Sequence, residues 1–286
     1  MNQKRAAALG SLSVLAMAAG TALYQYENNS IQVTKLRMNA EITSPLRIVL
    51  LSDLHGKEFG RSNERLIRKV TECAPDLIAV TGDLVNGNAS SREILRMAEL
   101  LEKLNSLVPV FYVSGNHEHR LADLEFLRDA LRRKGITVLV NEMVSFRVNE
   151  QQVTVLGIDE DENDQTDRHV LMRDFELQDG FRLLLCHYPD RFALNGEESY
   201  QNYCFDLMLA GHAHGGQLVL PGIGGLYAPG QGFFPKYYRG MYGEIPKLVV
   251  SRGLGPSSFP TRLCNRPEIV SIEVEPSLPS EESEVY

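Results

Sequence analysis

RIVLLSDLH, residues 47–55, passes from an unbroken aliphatic run into two polar groups, Asp53 and His55, spaced i, i+2. An apolar run without alternation is the pattern of a strand buried on both faces. The i, i+2 spacing puts both polar side chains on one side of an extended segment. The same hand-over recurs along the chain. DLIAVTGD (76–83) ends on Asp83, and VPVFYVSGN (108–116) ends on Asn116, followed by His117. FRLLLCH (181–187) ends on His187, and FDLMLAGHAH (205–214) on His212 and His214. Amphipathic stretches separate the first runs: Asn63 to Cys73, Ser90 to Leu104 with a Ser90/Glu93 capping box, and Leu121 to Lys134 before Gly135. This is a β-α-β-α-β-α order and predicts an α/β unit with a largely parallel sheet.

After Gly135 the texture changes. ITVLV, SFRV, QVTVLGI, FRLLLCH and FDLMLAGH follow with few helices between them, and KLVVS and EIVSIEV close the chain. A second sheet packed on the first is the simplest arrangement. In an open α/β sheet the carboxyl ends of the strands line one crevice, so the five polar strand ends are expected to converge. Five of the seven His, with two Asp and one Asn, sit at these junctions. Gly82, Gly115, Gly211, Gly215 and Gly216 flank them, allowing tight turns and close backbone approach.

Composition narrows the class. The chain has 286 residues, 43% hydrophobic and 23% charged, enough to bury a core and too apolar for a disordered chain. A net charge of −8 argues against general nucleic-acid binding. Cys73, Cys186, Cys204 and Cys264 form no CxxC, so neither a zinc ribbon nor a dense disulfide framework fits. Cys186 reads as a small buried residue, with a pairing to Cys204 left open.

At the amino end Lys4-Arg5 precede nineteen uncharged residues, Ala6 to Tyr24. As a helix that run spans roughly 28 Å, near the hydrocarbon thickness of a bilayer. Residues 1–24 are therefore expected to be a signal anchor, with a signal peptide cleaved after Ala16-Met17-Ala18 and a core helix as the other readings. The basic pair places the main domain outside the cytoplasm, whether anchored or secreted. Residues 25–45 read as a polar stalk (Gln25 to Ser30) and first strand, 46–275 as one domain, and 276–286 as an acidic tail.

DLH (53–55), GDLVNG (82–87), GNHE (115–118), CHYP (186–189) and GHAHGGQ (211–217), in that order, resemble the five motifs of the calcineurin-like metallophosphoesterases. The carboxyl-terminal stretch GQLVLPGIGG, KYYRGMY, VVSRGLG and NRPEI resembles the bacterial membrane-anchored or exported phosphodiesterase branch. The resemblance implies a four-layer α/β/β/α sandwich and hydrolysis of phosphodiester or pyrophosphate bonds by metal-bridged hydroxide. It places one metal on Asp53, His55, Asp83 and His214, and a second on Asp83, Asn116, His187 and His212. Such a mixed carboxylate, imidazole and amide set suits Mn²⁺, Fe or Zn²⁺ better than Mg²⁺ or Ca²⁺. His117 is left as the catalytic residue, and Asn116 and His117 as substrate contacts. Where protein serine/threonine phosphatases carry GDxxDRG, whose second Asp orients the catalytic His, this chain has Asn86. That favours a diester or pyrophosphate substrate, either a small molecule or a lipid headgroup. The rivals are a phosphomonoesterase, a UDP-2,3-diacylglucosamine pyrophosphatase, and a non-catalytic, metal-stabilised cell-envelope binding protein.

Residues 215–243 hold nine Gly and six aromatics and form a candidate substrate rim, with Lys236, Arg239 and Arg252 placed to reach phosphate. Ordered packing of those aromatics on the sandwich is the alternative. The acidic run Asp159 to Asp164 lacks EF-hand spacing and reads as a solvated turn, with Asp159 nearer the site. His119 is expected to be exposed, and His169 structural or solvated.

Overall fold

The computed structural model describes residues 3–159, 167–193, 199–256 and 261–277, with residues 3–12 as backbone alone. In chain order the amino-terminal half runs α1 (Gln3–Asn29), β1 (Gln32–Ala40), β2 (Leu46–Leu51), α2 (Glu64–Glu72), β3 (Leu77–Thr81), α3 (Ser91–Asn105), β4 (Val110–Val113), α4 (Leu124–Arg133) and β5 (Thr137–Val138). Then come β6 (Glu142–Val148), β7 (Gln151–Ile158), α5 (Arg168–Glu176), β8 (Phe181–Cys186) and β9 (Leu207–Ala210). Two small ribbons follow, β10 (Val219–Leu220) with β11 (Gly224–Gly225) and β12 (Tyr227–Ala228) with β13 (Gly232–Phe233). The chain closes with β14 (Gly240–Tyr242), β15 (Lys247–Val250) and β16 (Glu268–Pro276).

Local chemistry sets the helix ends. Ser90 caps α3 by accepting the Glu93 N–H at 3.3 Å, and Asp123 caps α4 by accepting the Phe126 N–H at 2.9 Å. Helices α2 to α4 each bury one stripe, Leu66 and Val70 in α2, Ile94, Met97 and Leu101 in α3, Leu127 and Leu131 in α4.

One six-stranded sheet has the order β1-β16-β2-β3-β4-β5, the other β14-β15-β9-β8-β7-β6. The unbroken apolar runs are explained by period-two burial on both faces. Val49 and Leu51 of β2 face the helix layer, packing with Leu66, Val70 and Leu101. Ile48 and Leu50 face the second sheet, packing with Leu183, Leu185, Leu207 and Val249. Truncating one of these fully buried leucines to Ala costs about 2–5 kcal/mol. The outer face of the second sheet, Leu184, Cys186, Met208 and Ala210, is covered by α5 and the aromatics Phe192, Tyr200, Tyr203 and Phe205. The layers are thus α/β/β/α, with, among the described residues, a single α-helix and short 3₁₀ turns in the fourth.

Strand membership departs from the sequence reading in two places. β5 extends the first sheet, and β16 inserts between β1 and β2, parallel to one (Gln32 opposite Glu268) and antiparallel to the other (Ile48 opposite Ile272). Burial periodicity identifies a strand but carries no information on its partner.

The stretch Gln25 to Asn29, read as stalk, continues α1, and its last turns dock on the domain. The Asn28 amide oxygen accepts the Arg262 N–H at 2.8 Å, the Glu27 carboxylate accepts the Asn265 N–H at 3.3 Å, and the Arg266 guanidinium lies 4.8 Å from the Tyr26 ring. Upstream, Val14, Leu15, Met17 and Leu23 are exposed. Among the described residues no helix is long and apolar enough to cross a membrane. All four cysteines are free thiols, with Cys186 buried and Cys204 exposed, so the pairing left open above does not form.

Candidate metal centre

The strand ends turn sharply. Asp53, His55, Asp83, His212 and His214 all have left-handed backbone, with φ of 52°, 51°, 52°, 65° and 46°. Non-glycine residues in that region cost about 1–3 kcal/mol each and persist only where the surroundings over-determine them. Here the turns are laced together. The Asp53 N–H donates to the Gly82 carbonyl at 3.0 Å, the His55 N–H to the Asp83 carbonyl at 2.9 Å, and the Gly211 N–H to the His187 carbonyl at 3.1 Å. Gly115 and Gly211 are needed for close approach. A Cβ on Gly115 would lie 2.4 Å from Asp83 Oδ1, and one on Gly211 2.5 Å from Asp53 Oδ2.

These turns bring all seven sequence-derived ligand candidates together. Ligand atoms of Asp53, His55, Asp83 and His214 lie within 4.8 Å of one another, all four residues buried. His214 Nε2 is 3.3 Å from Asp53 Oδ1, and His55 Nε2 is 3.6 Å from Asp83 Oδ2. Around His187, Nε2 lies 3.1 Å from Asn116 Oδ1, 3.1 Å from His212 Nδ1 and 3.5 Å from Asp83 Oδ2. Asp83 Oδ2 is common to both groups.

The donor set fits metal ions because carboxylate oxygens and imidazole nitrogens converge in one buried place. His55 Nδ1 bonds Asn86 Oδ1 at 3.0 Å, so its proton sits there and Nε2 is bare. That bare nitrogen lies 3.2 Å from His214 Nε2, while His214 Nδ1 is buried without a partner. His187 Nδ1 donates to the Thr81 carbonyl at 2.7 Å, which turns its Nε2 towards the Asn116 oxygen and the Asp83 carboxylate. A buried polar atom without a partner, as His214 Nδ1 is, costs about 1–3 kcal/mol, and nitrogen and oxygen donors that converge in this way suit a cation.

Electrostatics of the metal-free chain agree. Burial pushes His55 down to about 4, His212 down to about 3, and His214 well below its ordinary value, so these three offer lone pairs at neutral pH. Burial also raises Asp53 to about 6. Burial alone would raise Asp83, but His187, His55 and His117 outweigh it and hold the carboxyl well below its usual range. Burial works against charge on His187, yet Asp83, Asp53 and the Thr81 carbonyl together raise it to about 10.

His117 stands apart. Its N–H donates to Asp83 Oδ1 at 2.9 Å, its ring meets the His55 ring edge-on at 4.6 Å, and its Nε2 is 4.0 Å from Asp83 Oδ2. Its side chain is 27% exposed, against 1–5% for the His55, His187 and His214 side chains, so it is the imidazole open to an incoming ligand. The family contact of the second-motif residue is redirected here. Asn86 holds His55 from both sides, accepting from Nδ1 and donating from its amide to the His55 carbonyl at 3.3 Å.

Three features escaped the sequence reading. Glu118 is fully buried and accepts the N–H groups of Asp83 (2.8 Å), Gly115 (2.7 Å) and Val85 (3.0 Å), clamping the second and third motifs together. Its signal was an acid among turn residues directly after Asn116-His117. Burial, with Asp83 nearby, raises its carboxyl to about 7. His119, expected to be exposed, is partly buried and pairs with buried Asp159 at 2.6 Å, and Arg128 binds the same carboxylate. Asp159 is thus a tether for the loop carrying His117, and Glu160 to Asp164 lie outside the described residues. Tyr188 packs edge-on against His212 at 4.6 Å.

The cations of the rim have neighbours of their own. Arg252 is buried on Glu268 at 2.8 Å and is not free to reach phosphate. Lys236 and Arg239 are exposed, Lys236 4.8 Å from the Tyr237 ring and Arg239 5.4 Å from the Tyr238 ring. Arg239 lines a separate cavity of about 270 Å³ with Thr34, Arg252 and Glu268. His169 is exposed and bonds the Tyr203 hydroxyl at 2.6 Å.

A four-layer sandwich with a buried Asp/His cluster at its strand ends has the donors of a metal centre, and the family match makes that centre one of a metal-dependent hydrolase of phosphoric esters. The profile of the calcineurin-like phosphoesterase family matches residues 46–216, and the chain belongs to that family. Phosphodiesterase YaeI of Escherichia coli K12 is 30% identical over 237 residues, 81% of this chain and 83% of YaeI. The transmembrane protein with metallophosphoesterase domain of Danio rerio is 31% identical over 244 residues, 81% of this chain and 54% of that protein. Among solved structures, TT1561 of Thermus thermophilus superposes with a TM-score of 0.50 at 17% identity, covering 74% of this chain and 90% of TT1561, a likeness of fold.

Proposed function

We propose that the chain is a binuclear, phosphodiesterase-type hydrolase of phosphodiester or pyrophosphate bonds, held by α1 at a membrane with its domain outside the cytoplasm. The observation that carries the binuclear reading is Asp83. Its Oδ2 lies 3.6 Å from His55 Nε2 and 3.5 Å from His187 Nε2, between the two donor groups. Asp53, His55, Asp83 and His214 would hold one cation, and Asp83, Asn116, His187 and His212 the other. Two divalent cations bound there supply positive charge for the phosphoryl oxygens and lower the pKa of a water, and Mn²⁺, Fe or Zn²⁺ suit the donors. Asn116 turns its oxygen to His187 and so leaves its NH₂ for a phosphoryl oxygen. His117, open to ligand and beside the cluster, donates the proton to the leaving oxygen. The exposed apolar side chains of α1 and the relative named a transmembrane protein support the anchored placement.

The test uses the full chain in detergent with bis(p-nitrophenyl) phosphate and p-nitrophenyl phosphate. Chelation should abolish diester hydrolysis, and Mn²⁺ or Zn²⁺ should restore it with two ions bound per chain. Turnover that survives complete metal removal, or is unchanged in Asp83→Ala, sinks the reading. A strong preference for the monoester makes the enzyme a phosphatase. Protease access to the domain in intact cells tests the placement.

A further inference from the structure

Among the described residues no side chain hydrogen-bonds the His117 ring. Its Nε2 is 4.0 Å from Asp83 Oδ2, too long for a hydrogen bond, and the Asn86 side chain is occupied by His55. The aim of the ring is therefore set by its main chain. That segment is a tight turn, with the Arg120 N–H donating to the His117 carbonyl at 3.1 Å and the Leu121 N–H to the Glu118 carbonyl at 2.9 Å. The turn is gripped from both ends. The His117 N–H is on Asp83, and Glu118 is fixed to three main-chain N–H groups. Two residues beyond His117, His119 Nε2 reaches Asp159 Oδ1 at 2.6 Å.

Asp159 is a rigid post. It is fully buried and directly follows β7 in the second sheet, whereas the His117 turn follows β4 in the first. Its N–H donates to Asn141 Oδ1 at 2.9 Å. Arg128 of α4 pairs with Oδ2 and also reaches Ser114 Oγ, just after β4, at 3.3 Å. Breaking a buried pair of this kind leaves a charge uncompensated, so the carboxylate stays where it is.

Resting on the hydrolase reading above, we propose that Asp159 is the positioning residue for His117. Acting through His119, it fixes the turn and so the direction in which the imidazole presents its proton. As the P–O bond to the leaving group breaks, its electron pair goes to oxygen and the His117 proton neutralises it, leaving a neutral imidazole. Asp159 exchanges no proton in this step. A shift of about 1 Å in such a group is enough to cost about 10²-fold.

The experiment compares the metal-loaded full chain on methyl p-nitrophenyl phosphate and methyl phenyl phosphate. p-Nitrophenolate leaves without help, whereas phenol, whose pKa of about 10 is close to that of tyrosine, needs the proton. His117→Ala should therefore slow the phenyl ester far more than the p-nitrophenyl ester. His119→Ala, which keeps the Arg128–Asp159 pair, and Asp159→Asn should reproduce that selectivity. Each should lower kcat on the phenyl ester about tenfold or more, with KM and metal content unchanged. His119→Gln, whose amide can still donate to Asp159, should restore most of the loss. In a His117→Ala background neither change should slow either ester further. Losses in His119→Ala that are equal on the two esters, come with lost metal or multiply with His117→Ala overturn the proposal. His117→Ala without leaving-group selectivity overturns the acid assignment, and a wild type without metal-dependent turnover on either ester overturns the hydrolase reading. Both take this inference with them.

Discussion

The turns that carry the metal cluster and the segment 215–243 are both irregular chain, and they join at His214–Gly215. Their physics is opposite. The cluster turns hold five non-glycine residues in left-handed backbone, all of them buried and laced by main-chain hydrogen bonds. The segment beyond is held by two-residue ribbons and leaves Ile223, Phe233 and Phe234 more than 60% exposed. Strain is tolerated where many bonds oppose its release, and precise placement of ligand atoms needs that over-determination. The segment beyond has bonds of its own, such as the Leu226 N–H to the Gly216 carbonyl and the Phe234 N–H to the Leu226 carbonyl, but its exposed tips are not enclosed in the same way.

Substitutions on the two sides should therefore differ in kind. Gly115→Ala places a Cβ 2.4 Å from Asp83 Oδ1 and 2.6 Å from its main-chain nitrogen, neither of which can yield. It should cost about 3 kcal/mol and the bound metal. Gly222→Ala meets nothing within 4 Å and should cost only about 1 kcal/mol for its φ of 80°. Thermal melts and metal content check both. His117→Ala should keep its metal and lose about 10²–10⁴-fold in turnover, whereas metal loss would assign His117 to the ligands. Asn86→Ala frees the His55 ring and should lower metal affinity about 10–100-fold, with Asn86→Gln partly restoring it in calorimetric titration.

The pH dependence has a definite sign. His187 is raised to about 10 in the metal-free chain, so its proton stabilises that chain at neutral pH and is lost only as the pH rises through about 10. A metal must displace it. Affinity should therefore climb from about pH 6 to 9, with proton release seen in buffers of different ionisation enthalpy. The smallest effect is expected for Lys236→Ala and Arg239→Ala, where kcat/KM should change less than about threefold because both cations lie over neighbouring tyrosines. A hundredfold loss at either would show that the rim positions substrate after all.

Legibility followed locality. The ligand candidates were readable because each is announced by the apolar run before it, and parallel strands must deliver such ends to one crevice. His119 was misjudged because its partner Asp159 lies forty residues away on another strand end. Arg252, nominated for phosphate, is consumed by Glu268 across a loop. Asn86 was read as a departure from a family motif, and its side chain turns out to serve a metal-ligand candidate in place of His117.

The sequence alone determined that the chain makes two-face-buried strands, that polar residues follow them, and which residue types collect at their ends. Those properties depend on local periodicity and on the chemistry of single side chains. Only the tertiary structure decided that β16 threads between β1 and β2, that Glu118 clamps two motifs, and that the last turns of α1 close a cavity against His55 and Lys57. Those depend on contacts between residues as far apart as Asn28 and Arg262. A hydrogen bond of that span leaves no trace in the spacing of either residue, because its geometry exists only once both sheets have packed.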